Sequence, residues 1–168
     1  MKARRASRSV RTRIARDQRT RARRSEAGFD PLQTVIKTCP GYNLGKAYKK
    51  VTRLFEEEFR SSDLTLPQFA VLVNTGLTES ATASEIAERL GSDLSTISRT
   101  MELLVRRGLV EQSRAQDRRV RVYRLTPSGR AAVDGTLPKW RNAKQRVLED
   151  VDPVAWKTTL HTLRQLAG

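Results

Sequence analysis

The chain has few of the residues that most catalytic and metal sites require. Its 168 residues include one cysteine, Cys39, and one histidine, His161. One cysteine excludes an internal disulfide framework and is typical of a reducing compartment. One histidine and one cysteine cannot supply the usual ligands of a zinc site. There is also no glycine-rich phosphate loop and no nucleophile elbow, so the sequence predicts no enzyme, metal site or cofactor.

Long apolar runs and acidic residues are also scarce. No apolar run approaches the roughly 18 residues that a membrane-spanning helix requires, so we expect no such helix. The chain has 18 Asp and Glu against 33 Lys and Arg, which gives a net charge of +15. This excess favours a polyanionic partner, with nucleic acid as the first candidate and an acidic membrane surface as the second.

The positive charge is concentrated at the amino terminus. Residues 1–28 contain eleven Lys and Arg and two acidic residues, a net charge of +9. Their few large apolar residues cannot offset the entropy lost on ordering, so we predict a disordered basic arm over residues 1–28 and a folded domain over 29–168. The arm either adds non-specific phosphate contacts, serves as a solubilising tail, or is an extended start absent from the native product.

Apolar residues recur at helical spacing through the folded part. Capping boxes are expected where Thr65 precedes Gln68 and where Thr82 precedes Glu85. The acidic run 56–58 is interpreted as a solvated helix face, since adjacent helical residues diverge too much to converge on one ligand. The predicted helices are 42–60, 66–78, a short helix that ends at Gly91, one from Asp93, one from Pro127 that bends near Pro138, and one from Pro153.

The helix that begins at Asp93 has two different faces. Ile97, Met101 and Leu104 recur at helical spacing and predict a buried stripe. The polar residues near its N-terminus lie mainly on the other side: Ser95, Thr96, Ser98 and Arg99. The side chain of Asp93 or Ser92 is expected to cap this helix. With the preceding short helix and the glycine turn, this is the arrangement of a helix-turn-helix that reads DNA.

Two β-branched-rich runs, 109–114 and 120–125, predict a hairpin after this helix. The element order is therefore α-α-α-α-β-β-α-α, mainly α with a small β-hairpin wing. The first helix (42–60) and the last two (127–168) have more apolar surface than a small DNA-binding unit (66–125) needs for cover. We therefore expect them to be dimerisation helices that pack against a second copy.

Six short motifs follow one another along the chain: Leu64–Phe69, Ser84–Gly91, Ser95–Arg99, Leu104–Val110, Asp117–Arg119 and Leu125–Gly129. In their order and spacing they resemble the multiple antibiotic resistance regulator (MarR) family, and the resemblance covers about 42–168. The resemblance implies a homodimeric bacterial transcription factor with a winged helix-turn-helix, usually a repressor. Family members typically respond to small phenolic or other aromatic compounds, and some respond to oxidants.

The resemblance also implies roles for individual residues. The predicted DNA-binding residues are Ser84, Ser95, Thr96, Ser98, Arg99, Asp117, Arg118, Arg119 and Arg121. Arg99 either reads guanine with two hydrogen bonds or binds only phosphate. Arg119 matches the wing-tip residue that enters the minor groove, and Asp117 matches the residue that shapes the tip. Arg118 and Arg121 are expected to contact the DNA backbone.

Cys39 lies close to the peroxide-sensing cysteine of one subgroup of the family. Alignment on 65–68 nevertheless puts the sensing position at Gly41. The tyrosines that activate the thiol in that subgroup fall on Gly45, Phe55 and Leu66. We therefore interpret Cys39 as a structural or incidental thiol, with redox sensing as the alternative.

The function that we expect is that of a sequence-specific transcriptional regulator, a ligand-responsive repressor that binds a pseudo-palindromic operator as a homodimer. The expected partners are double-stranded DNA, a second copy and a small aromatic effector, with no membrane. The expected location is the bacterial cytoplasm, with nucleoid association when bound. The alternative is a non-specific structural DNA-binding protein that acts through its basic arm. The effector-binding residues cannot be identified from the sequence.

Overall fold

A computed structural model describes residues 30–114 and 120–168, which are mainly helical. The elements are α1 (Pro31–Thr38), α2 (Pro40–Phe59), α3 (Leu66–Thr75), α4 (Ala83–Leu90), α5 (Leu94–Arg106), β1 (Val110–Arg114), β2 (Arg121–Leu125), α6 (Pro127–Leu148) and α7 (Pro153–Ala167). The predicted order of helices and hairpin is confirmed from α2 onwards. The chain divides into two compact units, and the boundary between Lys49 and Lys50 lies within α2.

The first unit contains a helix that the predicted element order lacks. The Asp30 carboxylate caps α1 by accepting a hydrogen bond from the Leu32 N–H at 3.0 Å. Asn43 then donates from Nδ2 to the carbonyl oxygens of Ile36 (3.0 Å) and Cys39 (2.9 Å). Cys39 is a free, half-buried cysteine between α1 and α2. Leu32, Val35 and Ile36 recur at helical spacing in this helix, but the predicted helices start only at 42 and so omit it.

The second unit has one hydrophobic core, built mainly where α3, α4 and α5 meet. Phe59 at the end of α2 packs edge-to-face on Phe69 of α3, with ring centroids 5.4 Å apart. The largest fully buried side chains are Leu64, Leu72, Ile86, Met101, Leu104, Val71, Val110 and Thr75. The core therefore holds the helix that the sequence assigns to DNA reading.

Several predicted boundaries were wrong. Helix α2 starts at Pro40 rather than 42, and α3 ends at Thr75 rather than 78. Leu77, within the predicted helix 66–78, is 67% exposed. The chain leaves α3 early because Ala81 must reach the hairpin, where it pairs with Tyr123. Helix α6 continues through Pro138 and ends at Leu148.

The acidic run on α2 is not simply a solvated face, as the sequence had suggested. Arg146 on α6 donates to Glu58 at 2.9 Å and to Glu57 at 3.1 Å. These two hydrogen bonds raise the pKa of the Arg146 guanidinium, with the bond to Glu58 contributing most. They tie the end of α2 to α6.

The described ranges, 30–114 and 120–168, contain neither a metal-binding cluster nor a membrane-spanning helix. No group of three His, Cys, Asp or Glu side chains there could hold a metal ion. Within the same ranges, no helix is both long and apolar enough to cross a bilayer.

Candidate nucleic-acid interface

Helix α5 has one face in the core and one face in solvent. Ile97, Met101 and Leu104 are buried, so the predicted apolar stripe is confirmed. The exposed residues near the N-terminus are Ser95, Thr96 and Arg99, and Ser98 is half-buried beside them. Because the buried face fixes the rotation of the helix, these hydroxyls and the guanidinium are held towards solvent.

The N-terminus of α5 lacks the predicted side-chain cap. Asp93 occupies the N-cap position, but its side chain makes no capping hydrogen bond. Its backbone carbonyl instead starts the helix by accepting from the N–H groups of Thr96 (3.0 Å) and Ile97 (3.1 Å). N–H groups of the first turn therefore have no side-chain acceptor among the described residues.

Helix α4, which precedes the turn, has the predicted capping box. Thr82 Oγ1 accepts from the Glu85 N–H at 3.2 Å, and Glu85 accepts from the Thr82 N–H at 2.7 Å. The hydrogen bonds from the Thr82 backbone and then its hydroxyl lower the pKa of Glu85. The capping bonds of Glu85 therefore stabilise the folded protein at pH values above the pKa that Glu85 has in the unfolded chain. This stabilisation is lost as the pH falls through the lower pKa of Glu85 in the folded protein.

The turn between α4 and α5 depends on Gly91. Its φ of 57° lies in the left-handed region, where a side chain would cause strain. The Ser92 N–H then reaches back to the Ala87 carbonyl at 2.9 Å. Ser84, in the first turn of α4, is exposed on the outside of this motif.

Arg107 fastens the C-terminal end of α5 to the start of α3. Its guanidinium donates to the Asp63 carbonyl at 3.0 Å and to Gln68 Oε1 at 3.2 Å. The same Gln68 oxygen accepts from the Thr65 N–H at 3.2 Å in the capping box of α3. Partners this distant along the chain leave no local signal in the sequence.

The hairpin is anchored to the rest of the second unit at two places. Strands β1 and β2 are antiparallel. The Ala81 and Tyr123 backbones exchange two hydrogen bonds of 3.0 and 2.8 Å. Thr126, after β2, donates from Oγ1 to the Gly108 carbonyl at 2.8 Å and accepts from the Gly129 N–H at 3.0 Å. The base of the wing is therefore fixed beside α5 and α6.

The tip of the wing falls outside the described residues. The predicted DNA-binding residues Asp117, Arg118 and Arg119 lie there, as does the basic arm 1–28. Arg121, at the start of β2, is described and exposed. The described candidates therefore occupy the surfaces of α4, α5 and the hairpin.

Comparison with known proteins shows which family the DNA-binding part of the chain resembles. A family model described as "MarR family" matches residues 62–120, from the loop before α3 to the hairpin. The HTH-type transcriptional repressor NicR of Pseudomonas putida is 28% identical over 143 residues, which is 84% of this chain and 90% of NicR. The stretch 62–120 therefore matches the MarR family. This family consists of transcription regulators rather than enzymes.

Solved structures of MarR-family proteins share the fold. Bordetella bronchiseptica BpsR, whose DNA binding is regulated by 6-hydroxynicotinic acid, has a TM-score of 0.71 and 26% identity, over 76% of this chain and 98% of BpsR. Streptomyces coelicolor PcaV, solved in complex with its natural ligand, has the same TM-score and identity, over 79% of this chain and 94% of PcaV. The predicted winged helix-turn-helix is therefore confirmed.

Proposed function

We propose that this MarR-family regulator binds a specific operator as a homodimer. Each protomer would place α5 in a major groove, with half-sites about one helical turn apart on a pseudo-palindrome. The observation that carries this proposal is the exposed N-terminal half of α5, whose opposite face is held in the core. Such an arrangement presents short polar side chains to base edges in a fixed register.

Base reading is assigned to α5. Ser95 and Thr96 supply hydroxyls that donate or accept, and Arg99 supplies a guanidinium that can form two hydrogen bonds with guanine. Ser98 is half-buried, so it would contact DNA only at the edge of this surface. Ser84 is proposed to contact a phosphate from the first turn of α4, where backbone N–H groups favour an anion.

The wing is proposed to contact the DNA beside α5. Arg119 would enter the minor groove, and Asp117 would shape the tip by pairing within it, since a carboxylate facing phosphate would be repelled. Arg118 and Arg121 would bind backbone phosphates. The support is the family resemblance of these positions and the exposure of Arg121.

The exposed apolar side chains of the last helix, α7, are the basis on which we propose a dimer. Helix α7 has no buried residue, and Val154 and Leu166 are 73% and 65% exposed. Trp156, Leu160 and Leu163 on the same helix are only half-buried. Because exposed apolar area favours association, we assign 127–168, together with 42–60, to dimerisation and 66–125 to DNA binding. A second copy would cover this surface, as the symmetry of a palindromic site requires.

A small aromatic effector is proposed to control binding in the bacterial cytoplasm, with no cofactor and no membrane partner. NicR is named a repressor, BpsR responds to 6-hydroxynicotinic acid, and PcaV binds a natural ligand. An effector would release DNA only through its different affinities for the two states of the dimer. 6-Hydroxynicotinic acid is therefore a suitable first probe in an operator-release assay.

Footprinting tests this function against a non-specific role for the basic arm. We expect a protected palindrome at a salt concentration where non-specific binding is lost, both in the full chain and in a variant that lacks residues 1–28. The truncated variant should bind more weakly and with a smaller salt dependence. Absence of a protected site would contradict the proposal, and loss of nearly all affinity on truncation would favour the structural role.

Arg99→Ala should weaken binding to the preferred operator by about 1–3 kcal/mol, because two hydrogen bonds to guanine are lost. Affinity for random duplex should change much less. The matched control is Arg106→Ala, an exposed arginine two turns later on α5. Binding of both duplexes is measured by fluorescence anisotropy. An equal loss on both duplexes for Arg99→Ala would show that Arg99 binds phosphate only.

A further inference from the structure

Two arginines face each other across the wing. The strand register puts Arg114 on β1 directly opposite Arg121 on β2. Residues paired in this way have Cβ atoms about 4.5–5.5 Å apart on one face of the hairpin. The side chains of both arginines are exposed. They lie on the same face as buried Tyr123, but further towards the tip, where the core no longer covers the strands.

This pair is unfavourable in the free protein. Like charges directly opposite each other destabilise an antiparallel pair of strands. Among residues 30–114 and 120–168, no Asp or Glu forms an ion pair with Arg114 or Arg121. The other face of the same hairpin differs, because Glu111 lies opposite Arg124 and the charges are complementary. The hairpin therefore has one balanced charge pair and one that lacks a described counter-charge.

We propose that Arg114 and Arg121 form a two-arginine clamp that binds one backbone phosphate of duplex DNA beside the wing. A phosphate between two guanidinium groups accepts several charge-assisted hydrogen bonds and removes the repulsion between them. The proposal rests on the proposed function, and it adds Arg114 as a binding residue and makes Arg121 its partner. The clamp carries no sequence information, but it fixes the position of the wing on the DNA.

The clamp has opposite consequences for stability and for binding. Neutralising either arginine removes the repulsion, so the free protein should be as stable as the wild type or more stable at low salt. The same change removes a phosphate donor, so DNA binding should weaken. If an arginine only stabilised the hairpin, its replacement would lower the stability of the free protein as well as its DNA affinity.

The first experiment compares Arg114→Gln, Arg121→Gln and the double variant in the full chain. Arg124→Gln is the matched control, since Arg124 is an exposed arginine on the same strand that faces Glu111. Operator affinity is measured against salt concentration. We expect the double variant to lose about tenfold in affinity near 0.1 M salt and its salt slope to fall by about 0.9 per half-site, the contribution of one phosphate. The slope of the control should stay close to that of the wild type.

The second experiment locates the phosphate. Operators that carry one neutral methylphosphonate at a time are titrated with the wild type, the two single variants and the double variant. Every linkage that the protein contacts should weaken wild-type binding, but one of them per half-site should have no effect on the double variant. If Arg114→Gln and Arg121→Gln abolish the sensitivity to two different linkages, the two arginines bind separate phosphates and the shared clamp is overturned. Unchanged sensitivity in the double variant would also overturn it.

Thermal unfolding of the free proteins at low salt completes the test. A melting temperature equal to or above that of the wild type supports the clamp, and a clear decrease would overturn it by assigning the arginines to hairpin stability. Failure of the clamp is distinct from failure of the proposed function. If the wild type protects no operator, the proposed function fails; if it does and the double variant binds like the control, only the clamp fails.

Discussion

Replacing Gly129 by alanine is expected to lower the free energy of unfolding by about 3 kcal/mol, at the upper end of overpacking effects. A Cβ atom at this position would overlap the Leu109 carbonyl oxygen and lie 2.9 Å from its carbonyl carbon. The obstacle is backbone, and the Thr126 N–H donates to that same oxygen at 3.2 Å. Relief of the overlap would therefore separate the base of the wing from the start of α6.

Gly135→Ala is the matched control for this change. Gly135 lies on the same helix and is exposed, and an added Cβ would meet nothing within 4 Å. Alanine there should stabilise the protein by up to about 1 kcal/mol, because alanine has the higher helix propensity. Urea unfolding followed by circular dichroism measures both variants. A Gly129→Ala variant as stable as the wild type would show that α6 does not approach Leu109 this closely.

Leu104→Ala is expected to cost about 2–5 kcal/mol of stability, through lost apolar burial and the cavity that is left. Leu104 lies on the buried face of α5 and is 0% exposed. Because the same helix carries the polar residues of the proposed DNA surface, we expect operator binding to fall in proportion to the loss of folded protein. The effect on DNA would thus arise without a change at any exposed residue.

Leu94→Ala provides the comparison for Leu104→Ala. Leu94 begins the same helix but is 50% exposed, so its truncation should change stability by no more than about 0.5 kcal/mol. Equilibrium unfolding of the two variants beside the wild type gives the difference. Equal losses from both substitutions would contradict the orientation of α5, since that orientation places only one of the two leucines in the core.

Local signals explain why so much of the fold could be predicted. The capping boxes at Thr65 and Thr82 and the left-handed glycines Gly91 and Gly108 act within four or five residues, so their positions can be identified in the sequence. The apolar stripe of α5 likewise follows from helical geometry. Asp93 is the exception, because its residue type and position predict a cap that its side chain does not form.

Long-range contacts could not be predicted in this way. The hydrogen bonds from Arg107 to Asp63 and Gln68 join positions about forty residues apart, and Ala81 pairs with the hairpin across a similar interval. Nothing in the neighbourhood of Arg107 marks it as different from Arg106. Helix α1 is a different case, because Leu32, Val35 and Ile36 recur at helical spacing within it and the Asp30 carboxylate caps it by accepting from the Leu32 N–H, both of which are local signals.

The sequence by itself determined the charge excess, the helix-turn-helix with its wing, and the polar face of α5, because each depends on composition or on spacing within one element. Only the tertiary structure decided which side chains are free to act. It placed Arg107 and Arg146 in contacts with other elements and left Arg99 and Arg121 exposed. It also set Arg114 opposite Arg121, since strand register depends on how two segments meet.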